Sequence, residues 1–155
     1  MTNFDYYAPT KVVFGKGTED QAGDLVREQG ATKVLVHYGS GSVKRSGLLE
    51  RIYQSLEQAG IPCVSLGGVV PNPRLSLVYQ GIELCKKEHV DFILAVGGGS
   101  VIDSGKAIGY GVANEGDVWD FYERKRVAAG CLPIGAVPTI AAAGSEMSWS
   151  SVITE

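Results

Sequence analysis

The stretch Phe92-Ile93-Leu94-Ala95-Val96-Gly97-Gly98-Gly99-Ser100-Val101-Ile102-Asp103 decides the fold. Its first five residues form a continuous apolar run, the pattern of a strand buried on both faces. Glycines then stop the run, and Ser100 reads as the N-cap of a helix reaching Val112. A strand that turns at once into a helix gathers free backbone N–H groups and the positive end of the helix dipole at one point. Glycines let a phosphate approach that backbone closely. The stretch therefore reads as the diphosphate-binding turn of an α/β nucleotide-binding domain. Each dipole interaction is worth about 0.3–1 kcal/mol, so several donors have to act together. The alternative is a turn whose glycines serve only strand-to-helix packing.

Outward from this turn, strands and helices alternate. Val34-Leu35-Val36 reads as a buried strand. Ser46–Ala59 reads as a helix with Leu48, Leu49, Ile52, Tyr53 and Leu56 on one face. Pro62–Leu66 is a second strand. Pro73–Glu88 is a second helix, with Pro73 suited to its first turn. Leu132–Pro138 is another strand. Nearer the N-terminus, Tyr6–Phe14 reads as extended and Glu19–Gln29 as helical. This spacing predicts βαβ units: an α/β, Rossmann-like domain with a mostly parallel sheet flanked by helices. Residues 1–155 are expected to form one dinucleotide-binding domain. Ser151–Glu155 reads as part of a strand, so the chain is expected to be cut from a longer protein.

Composition agrees with a single domain. A chain of 155 residues buries roughly 70% of its unfolded surface. Its 45% apolar and 20% charged residues are those of a soluble globular protein. The net charge of −3 provides no basic field, so nucleic acid is not expected as a partner. No apolar run approaches the ~20 residues of a membrane span, and the N-terminus lacks a leader-like apolar core. A cytoplasmic protein without membrane contact is expected. Cys63, Cys85 and Cys131 are widely spaced with no CxxC pair and read as reduced thiols. Glycine is the exception, at 21 residues, nearly twice the usual share of about 7%.

In open α/β sheets ligands lie beyond the carboxyl ends of the strands. Small hydrogen-bonding residues follow three of the predicted strands. They are Gly39-Ser40-Gly41-Ser42, Gly97-Gly98-Gly99-Ser100, and Thr139 with Gly144-Ser145-Glu146. Together they describe a crevice lined by N–H groups and hydroxyls. Asp103, one turn into its helix, is placed to bond loop N–H groups or a ribose hydroxyl. Lys106, three residues on, reads equally as that aspartate's surface ion-pair partner. Where a NAD-selective domain commonly carries an acidic residue for the ribose 2′-hydroxyl, this chain has Gly39, followed by Ser40, Ser42, Lys44 and Arg45. Small donors and two cations suit a 2′-phosphate. NADP is therefore the expected cofactor, with NAD second; an exposed, solvated Lys44–Arg45 pair is the plain alternative. No GxGxxG follows the first strand, so the usual dinucleotide fingerprint is absent.

These motifs resemble those of the iron-containing (group III) alcohol dehydrogenases, in particular their butanol-dehydrogenase-like branch. The resemblance rests on Phe14-Gly15-Lys16-Gly17, Tyr38–Lys44, Pro71-Asn72-Pro73, Gly97–Asp103, and Pro138-Thr139 through Gly144-Ser145-Glu146-Met147, in the family's order. It implies the fold of a dehydroquinate-synthase-like N-terminal domain. It implies cofactor contacts from Asn72, Gly98, Gly99 and Ser100, with Asp103 nearby. It places Thr139 and the loop to Ser145 along the diphosphate and nicotinamide, with Ser148 close by. Ile140, Ala142 and Ala143 depart from the family's hydroxyl-rich pattern in that loop and leave only backbone donors.

The resemblance also implies hydride transfer between a nicotinamide and a primary alcohol or aldehyde. The family's catalytic divalent metal, iron or zinc, is held by an aspartate and three histidines of a C-terminal helical domain. Residues 1–155 are expected to hold none of that region. His37 and His89 are far apart, lack ligand spacing, and read as ordinary surface or strand-end histidines. The chain alone is expected to be catalytically silent, and to form a homodimer or to self-associate. A stand-alone nucleotide-binding or interaction module is the reading from another class. Lyases and polyol dehydrogenases of the same fold are a third, against which the Gly39–Ser42 turn counts.

Overall fold

The computed structural model describes Asn3, Asp5 and residues 7–155. Four parallel strands form one sheet: β1 (Val34–Gly39), β2 (Cys63–Val69), β3 (Phe92–Gly97) and β4 (Ile134–Pro138), in the order β2-β1-β3-β4. The helices are α1 (Ala22–Glu28), α2 (Ser42–Arg45), α3 (Leu48–Gln58), α4 (Leu75–Glu88), α5 (Gly99–Ala113) and α6 (Trp119–Tyr122). The expected Rossmann-like, parallel α/β architecture is what the chain adopts.

Side-chain alternation along β1 divides the core between the two sheet faces. Val34, Val36 and Tyr38 join Phe92, Leu94 and Val96 of β3 against Leu49, Ile52 and Leu56 of α3. Leu35 and Ile93 face the other way, onto Val78 and Cys85 of α4 and Ala107 and Ile108 of α5. Both central strands are buried on both faces, which is why they read as unbroken apolar runs. Glycines do more than make turns here. A Cβ on Gly81 of α4 would meet Ile108 at 2.3 Å, and one on Gly111 of α5 would meet Ile82 at 2.1 Å. The two helices thus approach through reciprocal isoleucine-into-glycine contacts.

Element boundaries differ from expectation in four places. The helix expected over Ser46–Ala59 is α3, which begins two residues later, at Leu48, because Gly47 turns left-handed at φ 74°; the short α2 lies before the expected range. Ser100 is not the N-cap of α5; Gly98, extended at φ −84° and ψ −174°, takes that place, and Ser100 lies inside the first turn. Pro73 stands before its helix. Thr154 donates its N–H to the Pro73 carbonyl (2.9 Å) and accepts from Leu75 N–H (2.8 Å), which keeps Arg74 extended and delays α4 to Leu75. That pairing is a single bridge between Arg74 and Thr154, not the strand expected at Ser151–Glu155. Residues 7–14, expected to be extended, lie in no helix or strand, and Tyr6 of that segment lies outside the described residues.

Candidate functional site: the carboxyl edge of the sheet

The strand order 2-1-3-4 reverses direction between β1 and β3, the place where α/β sheets open a crevice for ligands. Register brings the two key turns side by side there. His37 pairs with Ala95 and Tyr38 with Val96, so Gly39 and Gly97 emerge next to each other. Gly39 also pairs with Val69 at the end of β2, and Gly97 with Pro138 at the end of β4. Thr139 N–H donates to the Gly97 carbonyl at 3.0 Å, tying the third turn to the second. All three glycine- and hydroxyl-bearing turns therefore lie on one edge.

Space at this edge is narrow and depends on absent side chains. A Cβ on Gly98 would come within 3.3 Å of Ile140 Cγ2, and one on Gly99 within 4.0 Å of the Ser145 Cβ. With α5 starting at Gly99, the N–H groups of its first turn, Ser100 included, are the ones a helix leaves unpaired. These donors and the open cradle fit the diphosphate of a dinucleotide. Beside the Gly39 turn a cavity of about 330 Å³ is lined by Tyr38, Lys44, Leu49, Glu50 and Tyr53. Lys44 and Arg45 are both exposed, and Lys44 Nζ lies 5.1 Å from the Tyr38 ring centroid, a cation–π distance. Ser40 and Ser42 are exposed on the same turn.

Other candidate residues are already engaged. Asp103 accepts hydrogen bonds from Ser145 Oγ and, at 3.2 Å, from Val152 N–H; it braces the loop, the first of its two expected roles. Ser148 Oγ is paired with Ser150 Oγ at 2.7 Å. Asn72 lies on the loop after β2 in a left-handed conformation (φ 57°) that asparagine tolerates better than most residues. Lys106 is not the surface partner of Asp103. It is buried, and its Nζ donates to Ser145 O (2.6 Å), Ser145 Oγ (3.2 Å) and Ser150 O (2.8 Å). Its spacing from Asp103 suggested an ion pair, and nothing local pointed to a loop some 40 residues away.

Of the two histidines, His89 is the expected surface residue and His37 differs from expectation. His37 is wholly buried, with Nδ1 2.8 Å from Leu66 O and Nε2 2.8 Å from Ser104 Oγ. Burial lowers its pKa to about 4. His89 is exposed and ends α4 in a left-handed conformation. Among the described residues no group of three or more His, Cys, Asp or Glu could hold a metal ion. The donors present do not fit a catalytic metal.

Comparison with known proteins accounts for this set of turns. The family model for iron-containing alcohol dehydrogenases matches residues 9–155. The chain belongs to the iron-containing alcohol dehydrogenase family. Among curated members of that family, it is 47% identical over 154 residues to the probable NADH-dependent butanol dehydrogenase 1 of Bacillus subtilis. It is 37% identical over 159 residues to the NADPH-dependent aldehyde reductase YqhD of Escherichia coli. Each match covers 99% of this chain and 40% of the relative, so the chain spans about two fifths of their length. The crystal structure of NADH-dependent butanol dehydrogenase A from Thermotoga maritima superposes with a TM-score of 0.97 at 46% identity, over 99% of this chain and 39% of that one. The four-stranded domain is thus the N-terminal fold of iron-containing alcohol dehydrogenases. No helix among its described residues is long and apolar enough to cross a membrane.

Proposed function

We propose that the carboxyl edge of this sheet binds a nicotinamide dinucleotide, NADP(H) by preference, for an alcohol dehydrogenase or aldehyde reductase acting on primary alcohols and aldehydes. The observation that carries this reading is the meeting of the Gly39 and Gly97 turns at the β1/β3 reversal, beside the first turn of α5. Gly98, Gly99 and Ser100 would hold the diphosphate through backbone N–H groups. Thr139 and the loop to Ser145 would cover it. Gly39, Ser40 and Ser42 would take the ribose end, with Asn72 at the outer end of the same edge. When bound, the nicotinamide supplies or accepts the hydride. The residues of this chain bind and orient it.

The preference for NADP(H) rests on residues 39–49, which hold no carboxylate and include Lys44 and Arg45. A second reading, NAD(H), is favoured by Glu50 in the neighbouring cavity and by the NADH-dependent names of the butanol dehydrogenases. Titrating the protein with NADPH and NADH and following nicotinamide fluorescence separates the two. Saturation by NADPH at lower concentration supports the first reading, and the reverse order supports the second. Saturation by neither refutes the site. Butanal reduction by this chain alone, with Fe²⁺ or Zn²⁺ added, is expected to be absent; turnover would place the chemistry in these residues after all.

A further inference from the structure

Lys106 lies in the middle of α5 and is only 7% exposed. A buried ammonium is costly unless each N–H finds an acceptor. Its three protons face three oxygens: Ser145 O, Ser145 Oγ and Ser150 O. Asp103, one turn earlier, takes Ser145 Oγ–H and Val152 N–H. Tyr110, one turn later, donates its hydroxyl to Trp149 O at 2.8 Å. Three successive turns of one helix face therefore grip residues 145–152. Burial lowers the Lys106 pKa, while the charges of Asp103 and Glu146 oppose that shift.

We propose that Lys106 is a positioning residue for dinucleotide binding. Its ammonium clamps residues 145–150 onto α5 and so sets the wall formed by Ile140 and Ser145 over Gly98 and Gly99. This rests on the dinucleotide reading of the site. All three donors of Nζ are engaged with the loop, so the side chain acts through the loop and not by touching the ligand. Asp103 assists by fixing the Ser145 hydroxyl. The backbone carbonyls that Lys106 satisfies would otherwise be free to turn toward water, and the wall would lose its fixed place.

Lys106→Met tests this, because it keeps the length and apolar stem while removing every donor. Amide exchange is followed without ligand across residues 139–152 and across β3, and NADPH is titrated in parallel. Exchange at residues 145–152 should rise about tenfold while β3 stays protected, and the NADPH dissociation constant should rise about tenfold, a decade corresponding to about 1.4 kcal/mol. Asp103→Asn, which keeps an acceptor, should give the same pattern more weakly. Unchanged exchange or unchanged NADPH affinity in Lys106→Met overturns the proposal. So does an equal rise of exchange in β3, which would mean general destabilisation. Wild-type protein that binds no NADPH overturns the dinucleotide reading itself; wild-type binding matched by the variant overturns the clamp alone.

Discussion

Acid should destabilise this protein earlier than its carboxylates require, because of His37. The imidazole sits in the core with Nδ1 against the Leu66 carbonyl and Nε2 against the Ser104 hydroxyl. A carbonyl can only accept, so Nδ1 carries the proton and Nε2 accepts from Ser104. Adding a proton at Nε2 would remove that acceptor and bury a charge, and among the described residues His37 has no carboxylate ion-pair partner. Burial accordingly lowers the pKa from 6.5 to about 4, opposed only by the bond to Leu66. In the unfolded chain the ring returns to its ordinary value. As pH falls the unfolded state takes up the proton first, so the stabilisation is complete above pH 6.5 and is lost progressively toward pH 4. At about 1.36 kcal/mol per pKa unit the full loss is roughly 3 kcal/mol, a large share of the ~5–15 kcal/mol that holds a domain together. The shifted carboxylates, Glu19, Glu88, Asp91 and Asp117, are all lowered from their ordinary values of 4.5 or 3.8, so their contributions disappear at lower pH. Urea denaturation of wild type and His37→Gln at intervals from about pH 7.5 to 4.5 isolates the effect. The variant should be less stable at neutral pH, and wild type should lose about 2 kcal/mol or more relative to it by the acid end. Parallel stability curves would refute the reasoning.

Three further substitutions probe the edge and the packing behind it. Gly39→Asp should move preference toward NADH by about tenfold or more, since a carboxylate there repels a 2′-phosphate and accepts from a 2′-hydroxyl. The new Cβ would stand 3.5 Å from Val69 O and 3.9 Å from Val101 Cγ2, ordinary contacts, so an unchanged affinity ratio would count against the ribose assignment and not against folding. Gly97→Ala would bring a Cβ within 2.6 Å of Val101 Cγ2 and should cost about 1–3 kcal/mol in urea denaturation; an unmoved midpoint would contradict the close approach of β3 to α5. Gly23→Ala would place a Cβ 2.0 Å from the Ser55 carbonyl oxygen, a backbone atom that cannot swing aside, and should lower stability by about 2 kcal/mol or more. Wild-type-like melting of that variant would exclude the tight α1–α3 crossing.

How far the sequence could be read depended on whether the signal was local. Buried strands such as Phe92–Val96 announce themselves because both faces are covered, and glycines after a strand mark a turn whatever surrounds them. Helix starts were less legible. Pro73 has the sequence position of a first-turn residue, yet Thr154, far along the chain, pairs with its carbonyl and leaves Arg74 extended before α4. Gly47 delays the start of α3 by two residues because it turns left-handed, something its neighbours in sequence do not reveal. His37 carried no periodic clue to its burial; only the placement of Leu66 and Ser104 around it makes a polar ring tolerable in the core.

By itself the sequence determined the alternation of strands and helices, the parallel α/β class, and the identity of the three turns that could meet a dinucleotide. These follow from hydrophobic period and glycine chemistry, which act over a few residues. Tertiary structure alone decided that β1 and β3 are neighbours, and so that Gly39 and Gly97 emerge together. It also decided that Lys106 braces a loop instead of pairing with Asp103. Both outcomes depend on contacts between residues dozens of positions apart, where burial of strand faces and the demand that a buried charge be matched override local spacing.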